Sequence, residues 1–332
     1  MHATKPTLTP VSFDDISALA LGDMRAVDEL IVKSLESDVA LVSQVSEYIV
    51  MSGGKRLRPL IVLLAARALG YDGYQHVRAA TIIEFIHTAT LLHDDVVDSS
   101  SRRRGQDSAN TVFGNQASVL VGDFLYSRSF QMMVDIGDMR VMQILADATN
   151  TIAAGEVMQL MNVHDPETTE DDYQQVIYRK TARLFEAGAL IAAVLSGKGG
   201  KIESAMVEYG RHLGTAFQLV DDALDYRSSA EELGKNIGDD LAEGKATLPL
   251  IYAMRVASDD DSKIIRDAIL EGGLDHLQRI TQIIEATGAL QYTADKAQEA
   301  ADKAIASLSG LPASDFKEAL INIAEFAVQR RS

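Results

Sequence analysis

Apolar residues recur at intervals of three and four along nearly the whole chain, the period of a helix that buries one face. From Asp23 to Met51, Val27, Leu30, Ile31, Leu35, Val39, Val42 and Val45 keep that spacing, and Ser52, Gly53 and Gly54 end the run. Lys55, Arg56, Arg58 and Pro59 open a second helix reaching about Leu69. A third is predicted over Tyr74–Asp98, then helices over 115–135 and 138–163 parted by Ile136 and Gly137. Asp165-Pro166 breaks the pattern, Thr168 or Thr169 can cap, and helices follow over 170–196 and 202–226. Shorter helices fill the chain to Arg330, with turns near 258–261, Gly272-Gly273, Gly288 and 310–312. Alternating β-branched runs bounded by turns are nearly absent. The pattern predicts an all-α single domain, a helical bundle over 1–332, with residues 1–22 as an N-terminal arm holding Pro6 and Pro10.

Two apolar runs, PLIVLLAA at 59–66 and AGALIAAVLSG at 187–197, fall short of the ~18 residues a membrane span needs and read as buried helices. The N-terminus lacks a basic start followed by an apolar stretch, so a secretory signal is not expected and a cytoplasmic protein is. The net charge of -17 argues against nucleic acid as a partner. The chain has no cysteine, which excludes disulfides, thiolate metal sites and cysteine nucleophiles.

Against that acidic background, residues 91–105, LLHDDVVDSSSRRRG, stand out. Helix geometry stacks Asp94 over Asp98 and turns Asp95 about 100° away. Stacked like charges repel unless a cation sits between them, and a hard divalent ion with oxygen ligands suits that role. The arginines that follow offer forks matched to phosphate oxygens. A metal-bridged phosphate ligand is one reading; a solvated charged helix end is the other. Residues 214–226, GTAFQLVDDALDY, repeat the spacing with Asp221, Asp222 and Asp225, and place Gln218 on the stripe of Asp221. Two such helices facing each other in a bundle would put carboxylates on opposite walls of one cavity.

With these motifs, the chain resembles the trans-type polyprenyl diphosphate synthases, most closely the octaprenyl, solanesyl and decaprenyl group. The resemblance is carried by GGKRLRP at 53–59, LLHDDVVD with RRG at 91–105, GD at 122–123, KTA at 180–182, FQLVDDALD at 217–225 and GKNIGDDLAEGK at 234–245. It implies the all-α isoprenoid synthase fold, a homodimer, and repeated condensation of isopentenyl diphosphate with an allylic diphosphate to give a quinone side chain. It also implies Mg2+ bound by Asp94, Asp98 and Asp221, with Asp95, Asp222 and Asp225 in support. Lys55, Arg58, His87 and Arg104 would hold isopentenyl diphosphate; Arg103, Lys180 and Lys235 would hold the allylic diphosphate, with Thr181 and Gln218 beside the reacting carbon. Ala89 and Thr90 occupy the positions where shorter-chain members carry aromatics, which leaves a tunnel open for a long product. By helix geometry Thr90 lies under Asp94, whereas Ala89 is rotated away and its role rests on the resemblance. Arg102 departs from the pattern and has no assigned role. Phe85, Phe124, Met132 and Met133 are candidates for a deeper floor. The alternatives are a farnesyl or geranylgeranyl synthase and a non-catalytic regulatory subunit; membrane association would come only from the product.

Overall fold

The computed structural model describes residues 12–51, 53–227 and 238–330. Its elements are α-helices, with an antiparallel pairing of Arg102–Arg103 with Gln106–Asp107 the only strands among the described residues. The first helices are α1 (Phe13–Ala18), α2 (Leu21–Ser34), α3 (Ala40–Met51), α4 (Leu57–Ala68), α5 (Gln75–Val97), α6 (Ala109–Phe113), α7 (Asn115–Ile136) and α8 (Met139–Asn162). Then come α9 (Glu170–Ile177), a π-helical turn (Tyr178–Ala182), α10 (Arg183–Leu195) and α11 (Lys201–Leu224). The C-terminal part holds α12 (Asp239–Ala242), α13 (Leu248–Val256), α14 (Asp259–Glu271), α15 (Leu277–Thr287), α16 (Ala289–Ser307) and α17 (Asp315–Gln329).

Two boundaries differ from the periodic reading. The stretch expected as one helix over 23–51 is two, because the backbone N–H of Val39 turns to the Ser37 hydroxyl at 3.1 Å and interrupts the helical ladder. A local Ser side chain competing with the backbone explains the break. Within the expected arm, Phe13–Ala18 forms α1 and Leu21 already opens α2. Ser12 caps α1 in a reciprocal bond with Asp15, Ile16 and Ala20 are buried, and the Phe13 ring lies 5.2 Å from that of Phe326 on α17. Residues 1–11 lie outside the described residues.

Elsewhere the caps follow the local chemistry. Thr169 caps α9, accepting the Asp172 N–H at 3.1 Å, and Ser258 and Ser314 do the same for α14 and α17. Both apolar runs are interior: in α4 every residue from Pro59 to Ala66 is buried, and α10 packs on it so closely that a Cβ at Gly188 would meet Val62 at 2.9 Å. Burying an aliphatic side chain fully contributes about 1.5–3 kcal/mol, so this α4–α5–α10 centre holds the helices that frame the site. No helix among the described residues is long and apolar enough to cross a membrane. Phe85, Met132 and Met133 are buried in the core and Phe124 packs on it; none lines the cavity described next.

Candidate active site

A cavity of about 740 Å³ opens where α5, α8, the π turn, α11 and the start of α4 meet. Its walls are polarised. Asp94 and Asp98 project from the end of α5, and Asp221, Asp222 and Asp225 from the end of α11. Both acidic clusters sit at the C-terminal end of a helix, where the dipole opposes negative charge by about 0.3–1 kcal/mol per group. Folding therefore places these carboxylates where a cation is needed.

In the structure, side-chain cations answer them. The Lys180 ammonium lies 2.7 Å from Glu156 and 3.5 Å from Asp94. Lys245 stands 3.0 Å from Asp98, and Arg330, near the end of α17, pairs with Asp221 at 3.5 Å. Burial raises the Asp94 carboxyl above the usual range, and Lys180 only partly offsets this. Although burial works against both ammonium groups, Asp94 and Glu156 hold Lys180 above its ordinary value, and Asp98 and Glu243 do so for Lys245. Among the described residues no three carboxylate or histidine groups converge on one ion-sized point. A metal ion here would have to complete its shell with oxygens of a ligand, which fits an ion shared with a diphosphate.

Asp95 and Asp222 behave differently from their neighbours. Asp95 is fully buried and accepts from Arg103, Nε at 2.9 Å and a second guanidinium nitrogen, so it aims the arginine at the cavity. Asp222 accepts from Gln218 Nε2 at 2.7 Å and from the Tyr173 hydroxyl, and Gln218 Oε1 accepts from Thr181 at 2.9 Å. Burial raises Asp222 to about 8, with Asp240 adding to it and the Tyr173 and Gln218 bonds opposing. Asp225 accepts the backbone N–H of Asp240 at 3.3 Å, tying the end of α11 to α12.

The π turn brings Lys180 and Thr181 to the same cavity, although they are consecutive residues. It is gripped by two glycines: a Cβ at Gly155 of α8 would meet Arg179 Cβ at 2.7 Å, and one at Gly214 of α11 would meet Ala182 Cα at 2.5 Å.

The opposite half of the cavity is basic. Arg58 reaches His87 Nε2 at 3.0 Å and stacks 4.6 Å from the Phe185 ring; burial pushes its guanidinium down to about 10. His87 is held well below its ordinary value by burial, then by Arg58, Arg104 and Arg103, so it is neutral. Arg104 bonds the Gly53 carbonyl and lies flat against Gly54, where a Cβ would come within 2.7 Å of its guanidinium carbon. Gly54, at φ +123, is required by its backbone conformation, whereas the flexible end of Arg104 could move aside. The Lys55 ammonium sits 5.2 Å from the Phe326 ring centre. Arg56, between these residues, is taken by Asp28 at 2.5 Å.

Of the residues singled out in the sequence, Lys55, Arg58, His87, Thr90, Asp94, Asp98, Arg103, Arg104, Lys180, Thr181, Gln218, Asp221, Asp222 and Asp225 all line this one cavity. Ala89 is fully buried and does not, and Arg102 is exposed, bonding Gly105 at 2.9 Å. Lys235 lies outside the described residues. Lys245, Glu156, Glu84, Tyr173 and Arg330 also line the cavity and were not anticipated. Lys245 had a signal, the second lysine of GKNIGDDLAEGK. The others sit in no motif.

A helical bundle that opposes two aspartate-rich helix ends and fills the remaining wall with lysine and arginine defines a diphosphate-handling enzyme of the isoprenoid synthase type. Residues 39–287 match the polyprenyl synthetase family. The octaprenyl diphosphate synthase of Escherichia coli (strain K12) is 53% identical over 321 residues, covering 96% of this chain and 99% of the relative. The geranyl-diphosphate-specific all-trans-nonaprenyl-diphosphate synthase of Rhodobacter capsulatus is 46% identical, covering 95% and 97%. Among solved structures, a polyprenyl synthase of Caulobacter crescentus CB15 complexed with calcium and isoprenyl diphosphate superposes with a TM-score of 0.94 at 45% identity, covering 98% of this chain and all of that one. This chain belongs to the polyprenyl synthetase family, and is a prenyltransferase.

Proposed function

We propose that the protein is a long-chain trans-polyprenyl diphosphate synthase that adds isopentenyl diphosphate repeatedly to an allylic diphosphate. The observation that carries this reading is the union of two aspartate walls and a separate basic set, Lys55, Arg58 and Arg104, in one cavity. One diphosphate needs one such set; a condensation needs both. Asp94, Asp98 and Asp221 would hold Mg2+, which supplies charge neutralisation for the allylic leaving group. Arg103 and Lys180, and Lys235 by family position, would grip the same diphosphate, with Lys245 as a further cation beside Asp98. Lys55, Arg58, Arg104 and neutral His87 would seat isopentenyl diphosphate. Breaking the allylic C–O bond leaves a carbocation. The isopentenyl double bond attacks it, and the released diphosphate takes the departing proton. Long-chain relatives and the small cavity-lining residue Thr90 favour the long product over a farnesyl or geranylgeranyl one. Both acidic motifs and the cations are present, which disfavours a regulatory subunit.

The enzyme would act as one domain, in the cytoplasm, as a homodimer, with any membrane contact driven by its product. Exposed Leu120 and Val134 on α7, and Met139, Val157, Leu160 and Met161 on α8, support a buried interface between two copies. Supply of quinone side chains is the matching role. Incubation with farnesyl diphosphate, labelled isopentenyl diphosphate and Mg2+ is expected to give a product of eight to ten isoprene units, in line with the long-chain relatives. A product that stops at geranylgeranyl overturns the long-chain reading, and no extension at all overturns the enzyme.

The site also sets a pH dependence. Asp94, Asp222, Glu156 and Glu243 are all raised, chiefly by burial. A carboxyl whose folded pKa exceeds its unfolded one holds its proton more tightly in the fold. Its stabilising contribution is thus present at low pH and lost as pH rises through its raised pKa, which for Asp222 lies at about 8. Bound Mg2+ and diphosphate favour the ionised form instead. The gain in melting temperature on adding both is therefore expected to grow from about pH 6 to about pH 8. A gain that is flat or shrinks across that range would contradict it.

A further inference from the structure

Thr181 and Gln218, which family position would put beside the reacting carbon, are bonded to each other at the cavity wall, and what orients them lies one residue deeper. Tyr173, on α9, is 5% exposed. Its hydroxyl donates to Asp222 Oδ2, while Gln218 Nε2 donates to Asp222 Oδ1 at 2.7 Å and Thr181 Oγ1 donates to Gln218 Oε1 at 2.9 Å. The direction of each link follows from the last. An amide nitrogen only donates and an amide oxygen only accepts, so Gln218 Nε2 must donate to Asp222 Oδ1 and Gln218 Oε1 must accept from Thr181, whichever protonation state Asp222 holds. The Gln218 carbonyl is then turned to Thr181, whose single proton is committed to it. What Thr181 keeps for the cavity it lines is oxygen lone pairs.

Other helical threonines show what this chain of bonds prevents. Thr81, Thr215 and Thr293 each donate to the carbonyl four residues back, at 3.0, 3.0 and 2.9 Å. Thr181 sits in the π turn, where that geometry is altered, and donates to Gln218 instead. Asp222 is 3% exposed with both oxygens engaged, whereas the side chain of neighbouring Asp221 is 46% exposed. The two adjacent aspartates therefore have different work: both reach the cavity wall, but Asp221 is open to it, whereas Asp222 has both oxygens taken by Tyr173 and Gln218.

We infer that Tyr173 is a positioning residue for allylic ionisation: acting through Asp222 and Gln218, it holds the Thr181 oxygen with its lone pairs toward the carbon where positive charge develops. A fixed oxygen dipole there stabilises the cation without reorganising during the reaction. The inference rests on the prenyl-transfer reading, because only a reaction that develops a cation gains from it.

The test is a double-mutant cycle in the full-length protein with Mg2+, farnesyl diphosphate and isopentenyl diphosphate, scored on the first condensation. Tyr173→Phe removes one hydroxyl and is expected to lower kcat by about 10- to 100-fold. KM for both substrates and the Mg2+ concentration for half activity stay as in the wild type. In a Thr181→Val background the hydroxyl being oriented is gone, so adding Tyr173→Phe should cost no further rate. Losses that multiply, an unchanged kcat in Tyr173→Phe, or a shifted Mg2+ requirement would each overturn the positioning role. A wild-type protein that makes no prenyl product would instead sink the reading beneath it, so the two failures are distinguishable.

Discussion

Replacing Asp94 with alanine is expected to reduce turnover by on the order of 10³ or more, with the fold intact. Losing one preorganised electrostatic contact to a developing charge typically costs 10²–10³, and Asp94 is assigned a metal that serves the whole leaving group. The substitution also strands Lys180, which has Asp94 at 3.5 Å and Glu156 at 2.7 Å, so the basic contact to the same diphosphate shifts toward Glu156. Stability gives the control. Burial raises the Asp94 carboxyl, so its ionised form is a burden on the metal-free fold, and Asp94→Ala should melt no earlier than the wild type at neutral pH. Full-length product formation at saturating Mg2+, beside a thermal melt, checks both. Turnover within tenfold of wild type would remove Asp94 from the metal site, and an early melt would refute the electrostatic account.

The second large effect is on product length. Thr90 lies one turn before Asp94, lines the cavity, and donates its hydroxyl to the His87 carbonyl at 2.8 Å. A phenyl ring at this position would stand under the first aspartate, on the path proposed for the growing chain. Thr90→Phe is expected to shift the main product from eight or more isoprene units, as made by the long-chain relatives, to geranylgeranyl or shorter, with the first condensation preserved. Ala89 gives the contrast. It is fully buried and absent from the cavity wall, so Ala89→Phe should overpack the α5 core, at about 1–3 kcal/mol, before it blocks anything. Chromatography of the dephosphorylated products decides the matter; an unchanged distribution in Thr90→Phe would place the growing chain elsewhere.

Arg330, just after α17, shows how the two halves of the cavity communicate. It pairs with Asp221, lies 3.9 Å from the Phe217 ring and donates to the Phe217 carbonyl at 3.2 Å. Its charge also helps lower Lys55, after burial. One guanidinium thus bridges the acidic wall on α11 and the basic entrance of α4. Glu84, buried among Arg56, Arg58 and Arg104, is the reverse case, an acid within the basic half, raised by burial and drawn back by those arginines.

What the sequence by itself determined was most of what depends on near neighbours. A helical period written in apolar residues is a local property, so the helices of the bundle were legible from it, along with the shared face of Asp94 and Asp98 and the glycine-rich entry to α4. Motif order then pointed to the family, because six short patterns in one arrangement do not recur by chance. Where a local polar group competed with that period, as Ser37 does with the backbone of Val39, the reading went astray. Tertiary structure alone decided which distant groups meet: Lys245 with Asp98 across 147 residues, Tyr173 with Asp222 across 49, Arg330 with Asp221. The same packing separated adjacent aspartates, sending Asp94 to the cavity and Asp95 to Arg103, and leaving Asp221 open to the cavity while Asp222, on the same wall, is engaged by Tyr173 and Gln218. The physical reason is that burial and partner distance set the work of a charged side chain, and both are fixed by helices that only the folded core brings side by side.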